Sequence, residues 1–225
     1  MWGTLQVRCC HGRGPAGRIG TVAGGRDTTH DWARNLDAGH LERIRREPTV
    51  FAPGGTLHLV LEVLAYAADE AESAGTGRAV ITLSPDGSVA VADHGRGTQT
   101  RARGRGQVVR KPVMTTPDLR FFGAPRPPLL PDGHPRRGVS VVAALSEWLV
   151  HTSRRRDGAW TQRYQHGIPV TGLTPVPGAG PAGTTVSFLP DTGLVTATRV
   201  AVRDLRRLAV AFGPQLTVEI VGFPG

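Results

Sequence analysis

A helix-length apolar run followed at once by a hairpin constrains this chain more than any other feature. Residues 57–70 (LHLVLEVLAYAADE) continue a pattern with apolar positions at 57, 60, 61, 64, 67, 68 and 71. That is a 3.6-residue period, wide enough for burial on nearly every side. Thr56 is the expected N-cap, and the helix is expected to end near 73–75. Glu62, Tyr66, Asp69 and Glu70 stand at i, i+4, i+7 and i+8 and share one flank. Residues 79–83 and 88–92 follow, joined by Ser84-Pro85-Asp86-Gly87. An Asp-Gly turn between two β-rich runs predicts a hairpin. The stretch closes on Asp93-His94-Gly95-Arg96-Gly97. A carboxylate set into an apolar helix, and a second leading into a glycine-flanked turn, can together build a nucleotide pocket.

The rest of the chain has room for one domain. At 225 residues it is only 39% hydrophobic and holds 30 Gly and 18 Pro, which predicts a compact core with long irregular segments. The net charge of +9 suggests acidic partners such as nucleic acid. The bias has a competing source. Lys111 is the single lysine among 27 basic residues, and the Arg, Ala, Gly and Pro richness resembles a GC-rich coding sequence. Cys9 and Cys10 are adjacent and have no CxxC or Cys/His spacing, so neither a disulfide framework nor a zinc site is expected. Residues 1–20 lack the apolar run of a secretory signal. The longest apolar stretch is shorter than the ~20 residues of a membrane span. A soluble, cytoplasmic protein without membrane association is expected.

In chain order, residues 1–34 read as a basic, disordered leader. A short helix is predicted over 35–47, capped by Asp37 and stopped by Pro48, with an extended piece at 49–52. Residues 98–137 carry nine basic residues against Asp118 and Asp132, and five prolines lie between 117 and 131. A long mobile loop is expected there, with one short helix near 107–114. Residues 138–149 (GVSVVAALSEWL) read as a single apolar helix. Strands are predicted at 150–154, 159–164 and 184–188, then a helix at 198–212 and a strand at 215–221. This order fits a two-layer α/β fold, with helices on one face of a largely antiparallel sheet.

From about Leu41 to Val221 the chain resembles the ATPase domain of the DNA gyrase B protein and its type II topoisomerase relatives. Their fold is the Bergerat-type ATPase fold shared with Hsp90, histidine kinases and MutL. The resemblance rests on collinear blocks: Leu41-Glu42-Arg43-Ile44-Arg45-Arg46-Glu47-Pro48, Leu57-His58-Leu59-Val60-Leu61-Glu62-Val63, Asp69-Glu70-Ala71, Asp93-His94-Gly95-Arg96-Gly97, Gly138-Val139-Ser140-Val141-Val142, His166-Gly167-Ile168-Pro169-Val170 and Gly183-Thr184-Thr185-Val186. It implies ATP as cofactor and an ATP-hydrolysing DNA topoisomerase as the family activity. Glu62 stands where the family has the general base that activates water. Asp93 stands where it has the adenine reader, with Gly95, Arg96 and Gly97 forming the turn against the base and Arg96 packing over it. Thr184 matches a threonine whose hydroxyl reaches that aspartate, and Glu70 is expected to hold Arg96. Ordinary structural roles compete at each position: a turn aspartate for Asp93, a plain strand threonine for Thr184.

Departures from the family pattern sit on the phosphate side. Ala65-Tyr66 replaces Asp-Asn, whose Asn carries Mg²⁺; Tyr is a poor Mg²⁺ ligand and is large enough to fill phosphate space. The glycine-rich lid reads Gly133-His134-Pro135-Arg136-Arg137-Gly138, where Pro135 lacks a donor and Arg136 adds a Cβ, although Arg136 and Arg137 could still attract phosphate. Phe51-Ala52-Pro53 replaces the Tyr-Ile-Gly dimer arm. The transducer domain, with its phosphate-binding lysine, and the DNA gate are expected to be absent. The expectation is therefore a degenerate gyrase-B-like domain, binding adenine nucleotide weakly with little or no hydrolysis. The alternative is a non-enzymatic module whose basic loop contacts DNA, a gyrase-type subunit or another protein.

Overall fold

The computed structural model describes residue 30 and residues 36–103, 107–177, 180–196 and 199–222, with the backbone alone described at 101–103 and 107–109. The leader 1–34, its two cysteines and the expected helix start at Thr198 lie outside the described residues, apart from His30. His30 is buried, with Nδ1 3.1 Å from Thr116 Oγ1 and Nε2 3.6 Å from Asp118.

Helix α1 (Ala38–Arg46) starts where Asp37 accepts a hydrogen bond from the His40 amide, at 3.0 Å, and buries Leu41 and Ile44. Pro48 ends it but does not lead into an extended piece. It opens a second short helix, α2 (Pro48–Phe51), at a first-turn position where its missing N–H costs nothing. Helix α3 (Gly55–Ala74) begins one residue before the expected Thr56 cap, and Gly54 is its N-cap. Thr56 is instead buried inside the first turn. The helix ends at Gly75, whose φ of 79° provides the left-handed cap.

The hairpin forms from β1 (Gly77–Leu83) and β2 (Val89–Asp93). Asp86 Oδ1 accepts from the Ser88 amide and hydroxyl, which closes the turn. A second hairpin, β3 (Thr100–Arg103) with β4 (Gln107–Arg110), occupies the start of the region expected to be a mobile loop. Its second strand stands where a short helix was expected. The residues after it are packed rather than loose: Val113, Met114, Thr115, Thr116, Asp118, Phe121 and Leu130 are all buried. The prolines that forbid a helix do not forbid packing, because the main chain is satisfied locally. Pro112 O, for example, accepts from the Thr115 and Thr116 amides.

The expected helix at 138–149 is cut short. α4 covers only Val139–Ala144, and β5 (Ser146–Arg155) takes over. An apolar run does not distinguish a buried helix from a buried strand. The alternating burial of Leu149, His151 and Ser153 marks the change of period. β6 (Gly158–Gln165), β7 (Ile168–Pro169), β8 (Thr174–Pro175) and β9 (Gly183–Pro190) follow, then α5 (Val202–Ala209), one 3₁₀ turn and β10 (Leu216–Gly222). The sheet order is β10-β1-β2-β9-β5-β6-β7, with β8 also on β6. Every pairing is antiparallel except β1 with β10. Helices α1, α3 and α4 pack together, and α3 and α4 lie on the sheet. This is a mixed α/β fold with helices against a mostly antiparallel sheet, as the order of elements predicts, and it is consistent with the Bergerat type that the resemblance implies. Among the described residues no helix is long and apolar enough to cross a membrane.

Candidate functional site

α3 packs on β1 and β2, and residues of α3, β2 and β9 line a cavity of about 460 Å³. Such a volume lies in the usual small-molecule range of about 300–1,000 Å³. Val63, Val91, Met114, Val139 and Val186 form apolar walls. Asp93, Gly97, Thr184, Glu70 and Arg96 all line the same space.

At one end stands Asp93, the last residue of β2. Its Oδ1 accepts from the Gly95 amide at 2.7 Å and the Thr184 amide at 3.3 Å. Burial pushes its carboxyl above the ordinary range, against the pull of those two amides. The Thr184 contact runs through the main chain. β9 approaches Asp93 closely because its first residue is Gly183, with φ 148°; a Cβ there would sit 2.0 Å from the Asp93 carbonyl oxygen. A Cβ on Gly95 would sit 2.4 Å from Glu70 Cγ, so the turn is pressed against α3. Glu70 receives Arg96 from three directions: Nε at 2.5 Å, the main-chain N at 3.0 Å and Nη2 at 3.1 Å. Those bonds hold the Glu70 carboxyl below its usual range.

The cavity floor includes His151 of β5. Burial and the neighbouring Arg110 guanidinium hold its pKa well below the ordinary value, so the ring is neutral. Arg110 Nη1 lies 2.7 Å from Nδ1, which fixes Nδ1 as acceptor; Nε2 then donates to Thr98 Oγ1 at 3.1 Å.

The other end is closed by the protein's own charges. Tyr66 donates to Asp118 at 2.6 Å. Burial, then the Asp118 charge, lift the Tyr66 phenol well above its usual pKa, so it remains a donor. Arg120 pairs with Asp118 at 2.8 Å and with Asp69 at 3.1 Å. Arg136 grips Asp69 with both terminal nitrogens, at 2.7 and 2.8 Å, and stacks over the Tyr66 and Phe121 rings.

Glu62 does not line this cavity. It is fully buried, and its oxygens accept from the Arg137 amide at 2.5 Å and the Gly138 amide at 2.8 Å. His58, one turn earlier, lies 3.6 Å from Glu62 and 2.7 Å from Asp132. Burial opposes charge on that ring, but the Asp132 hydrogen bond and the Glu62 carboxylate overcome it and raise the pKa to about 9. The remaining lid amides are occupied too. Gly133 N donates to Leu130 O, His134 N to Asp132, and Arg136 N to Pro128 O. Pro135 has no N–H. Every main-chain N–H of residues 133–138 thus has a partner within the protein.

Sequence reasoning did not single out His58, Asp118, Arg120, Asp132 or His151. His58 carried a signal, being i−4 to Glu62 on the same helix face. Asp118 lies in a proline-rich segment with no periodicity. Among the described basic residues expected in a loop, Arg110, Arg120 and Arg136 are held in contacts inside the domain.

No protein-family model matches the chain. It is similar to the DNA gyrase B protein of Synechocystis, at 37% identity over 160 residues, covering 68% of this chain and 15% of that protein. The DNA topoisomerase 4 B protein of Staphylococcus epidermidis is 32% identical over 164 residues, covering 70% of this chain and 24% of that one. The DNA gyrase B protein of Archaeoglobus fulgidus is 34% identical over 181 residues, 75% of this chain and 29% of the relative. The chain therefore spans less than a third of the length of each. In fold it is similar to the topoisomerase IV ATP-binding domain of Francisella tularensis, solved with a small-molecule inhibitor. The TM-score is 0.63 at 24% identity, over 81% of this chain and 89% of that one. On fold and sequence together, the chain is a domain of the Bergerat ATPase fold related to the B proteins of DNA gyrase and topoisomerase IV.

Proposed function

We propose that this domain binds an adenine nucleotide weakly, at the Asp93 end of the cavity, and hydrolyses it little or not at all. The adenine half of the reading is supported by Asp93, a carboxylate held on the cavity wall by two amides with apolar side chains beside it. A carboxylate so placed can accept from an exocyclic amine in a charge-assisted hydrogen bond, worth about 1.5–3 kcal/mol. Glu70, Arg96, Gly95 and Gly97 shape the mouth beside it, and Thr184 contributes its amide.

One observation carries the second half. Glu62, the residue expected to act as base, is off the cavity with both oxygens capped by lid amides. A base must come within hydrogen-bond reach of the water that it activates. The residues opposite do not suit a magnesium–triphosphate group either. Tyr66 stands between α3 and the lid with its hydroxyl committed to Asp118, and Asp69 is committed to Arg120 and Arg136. We derive no hydrolytic step through such a group.

Calorimetric titration with ATP, paired with a phosphate-release assay, tests the reading. Saturable binding that Asp93→Asn weakens about tenfold or more is expected, matching the loss of one charge-assisted bond. Turnover that needs Mg²⁺ and disappears in Glu62→Gln would refute the hydrolysis half. Contact with DNA through residues 98–137 is the weaker reading, since Arg110, Arg120 and Arg136 are already engaged. Its test is salt-dependent retention of the protein on duplex DNA.

A further inference from the structure

We infer that the ligand this cavity selects is an unphosphorylated adenine nucleoside rather than a nucleoside triphosphate. The inference rests on the adenine reading above and deepens it by naming the ligand class.

Three separate features lead there. The first is main-chain donors. A phosphate chain at a lid is held by free N–H groups converging on its oxygens. Here the amides of Gly133, His134, Arg136, Arg137 and Gly138 donate to Leu130, Asp132, Pro128 and Glu62, and Pro135 has none to give. To bind phosphate, the lid would have to strip both amides from Glu62 and leave that buried carboxylate with only His58 nearby.

The second is charge. Asp69 and Asp118 against Arg120 and Arg136 make a paired set of two negative and two positive groups. The four charges already balance, so the set brings no net positive charge to a polyanion. An arginine that turned fully to a phosphate would leave its carboxylate beside it. Asp69 lines the cavity, so the added anion and the released Asp69 would then repel at short range.

The third is space. The Tyr66 ring lies under the Arg136 guanidinium, 4.8 Å from its centroid. Its hydroxyl approaches the lid backbone so closely that a Cβ on Gly138 would meet it at 3.1 Å. The Tyr66 ring and the Arg136 side chain thus stand between α3 and the lid backbone. The Asp93 end keeps its apolar walls and its acceptor. A nucleoside needs only that end, with its ribose turned to the polar mouth formed by Glu70 and Arg96. Lys111 and Arg155 also line the cavity, and the experiment measures whatever they lend to phosphate.

Isothermal titration of the full chain with adenosine, AMP, ADP and ATP, each with EDTA and with excess Mg²⁺, decides the matter. The expected result is that adenosine binds at least as tightly as ATP, and that Mg²⁺ changes the ATP affinity by less than about twofold. ATP binding about tenfold or more tighter than adenosine, or ATP affinity that rises with Mg²⁺, overturns the inference and leaves the adenine reading standing. Absence of binding by all four compounds overturns both. The double variant Tyr66→Asn with Arg136→Gly supplies the positive control. It opens the filled end, and it should move the ATP-to-adenosine affinity ratio at least fivefold toward ATP. The wild-type comparison stands without it, should the variant fail to fold.

Discussion

The two ends of one cavity are built from opposite kinds of contact. At the Asp93 end the donors are main-chain: β2 and β9 run side by side, and amides from the neighbouring turn and strand settle on a single carboxylate oxygen. One acceptor faces an apolar space with little else committed. At the Tyr66 end the contacts join parts of the chain far apart, α3 to the 118–138 segment, and nearly every polar group already has a partner. The difference teaches what burial does to charge. An open polar group can serve a ligand, whereas a completed network serves only the fold, since breaking it strands a buried charge.

The contrast can be broken hardest at His58. Removing its ring in His58→Ala leaves Glu62 and the partly buried Asp132 without their cation, and a loss of about 3–5 kcal/mol is expected in urea unfolding. A loss under about 1 kcal/mol would mean that the lid is not tied to α3 through this ring. At the opposite end, Gly183→Ala puts a methyl 2.0 Å from the Asp93 carbonyl, in a backbone region that L-residues avoid. About 3 kcal/mol or more should be lost, with adenosine binding abolished in whatever remains folded.

The same histidine sets a pH dependence. Its pKa in the folded state, about 9, lies above the ordinary value of 6.5. The stabilisation is therefore fully present below about pH 6.5 and fades as pH rises through 9. The total is at most about 3 kcal/mol from that difference. Urea midpoints measured from pH 6 to 10 should fall across that window in the native protein, and His58→Gln should flatten the slope. A smaller effect sharpens the comparison. Tyr66→Phe deletes one hydrogen bond to Asp118, which keeps Arg120. About 1 kcal/mol of stability should go, while adenosine affinity stays within about twofold of native. A large drop in adenosine affinity would show that the two ends are not independent.

Much of the fold is readable along the chain wherever the signal is short-range. The β1–β2 hairpin follows from Ser84-Pro85-Asp86-Gly87, and α3 from its apolar period. The readings that needed correction share a cause. At 138–149 the apolar run carries no period until Leu149, His151 and Ser153 alternate, so a helix was expected to continue where β5 begins. At 107–110 the strand exists because β3 lies beside it. The site divides in the same way. Asp93, Gly95, Arg96 and Gly97 are contiguous and visible as a unit. The capping of Glu62 by residues 75 and 76 positions away has no local trace, and neither does the grip of Arg136 on Asp69, 67 positions away.

The sequence alone therefore determined the class of fold, the long buried helix with its hairpin, and the run of residues at the Asp93 end. It also placed a tyrosine at 66 and two arginines at 136 and 137. Only the tertiary structure decided what those residues do. Local propensity and period act over a few residues, whereas pairing a buried charge depends on which distant segment the packed chain brings within about 3 Å. Here packing turned the 133–138 segment toward Glu62 and Asp69 and committed their oxygens, while Asp93 stayed on the cavity wall.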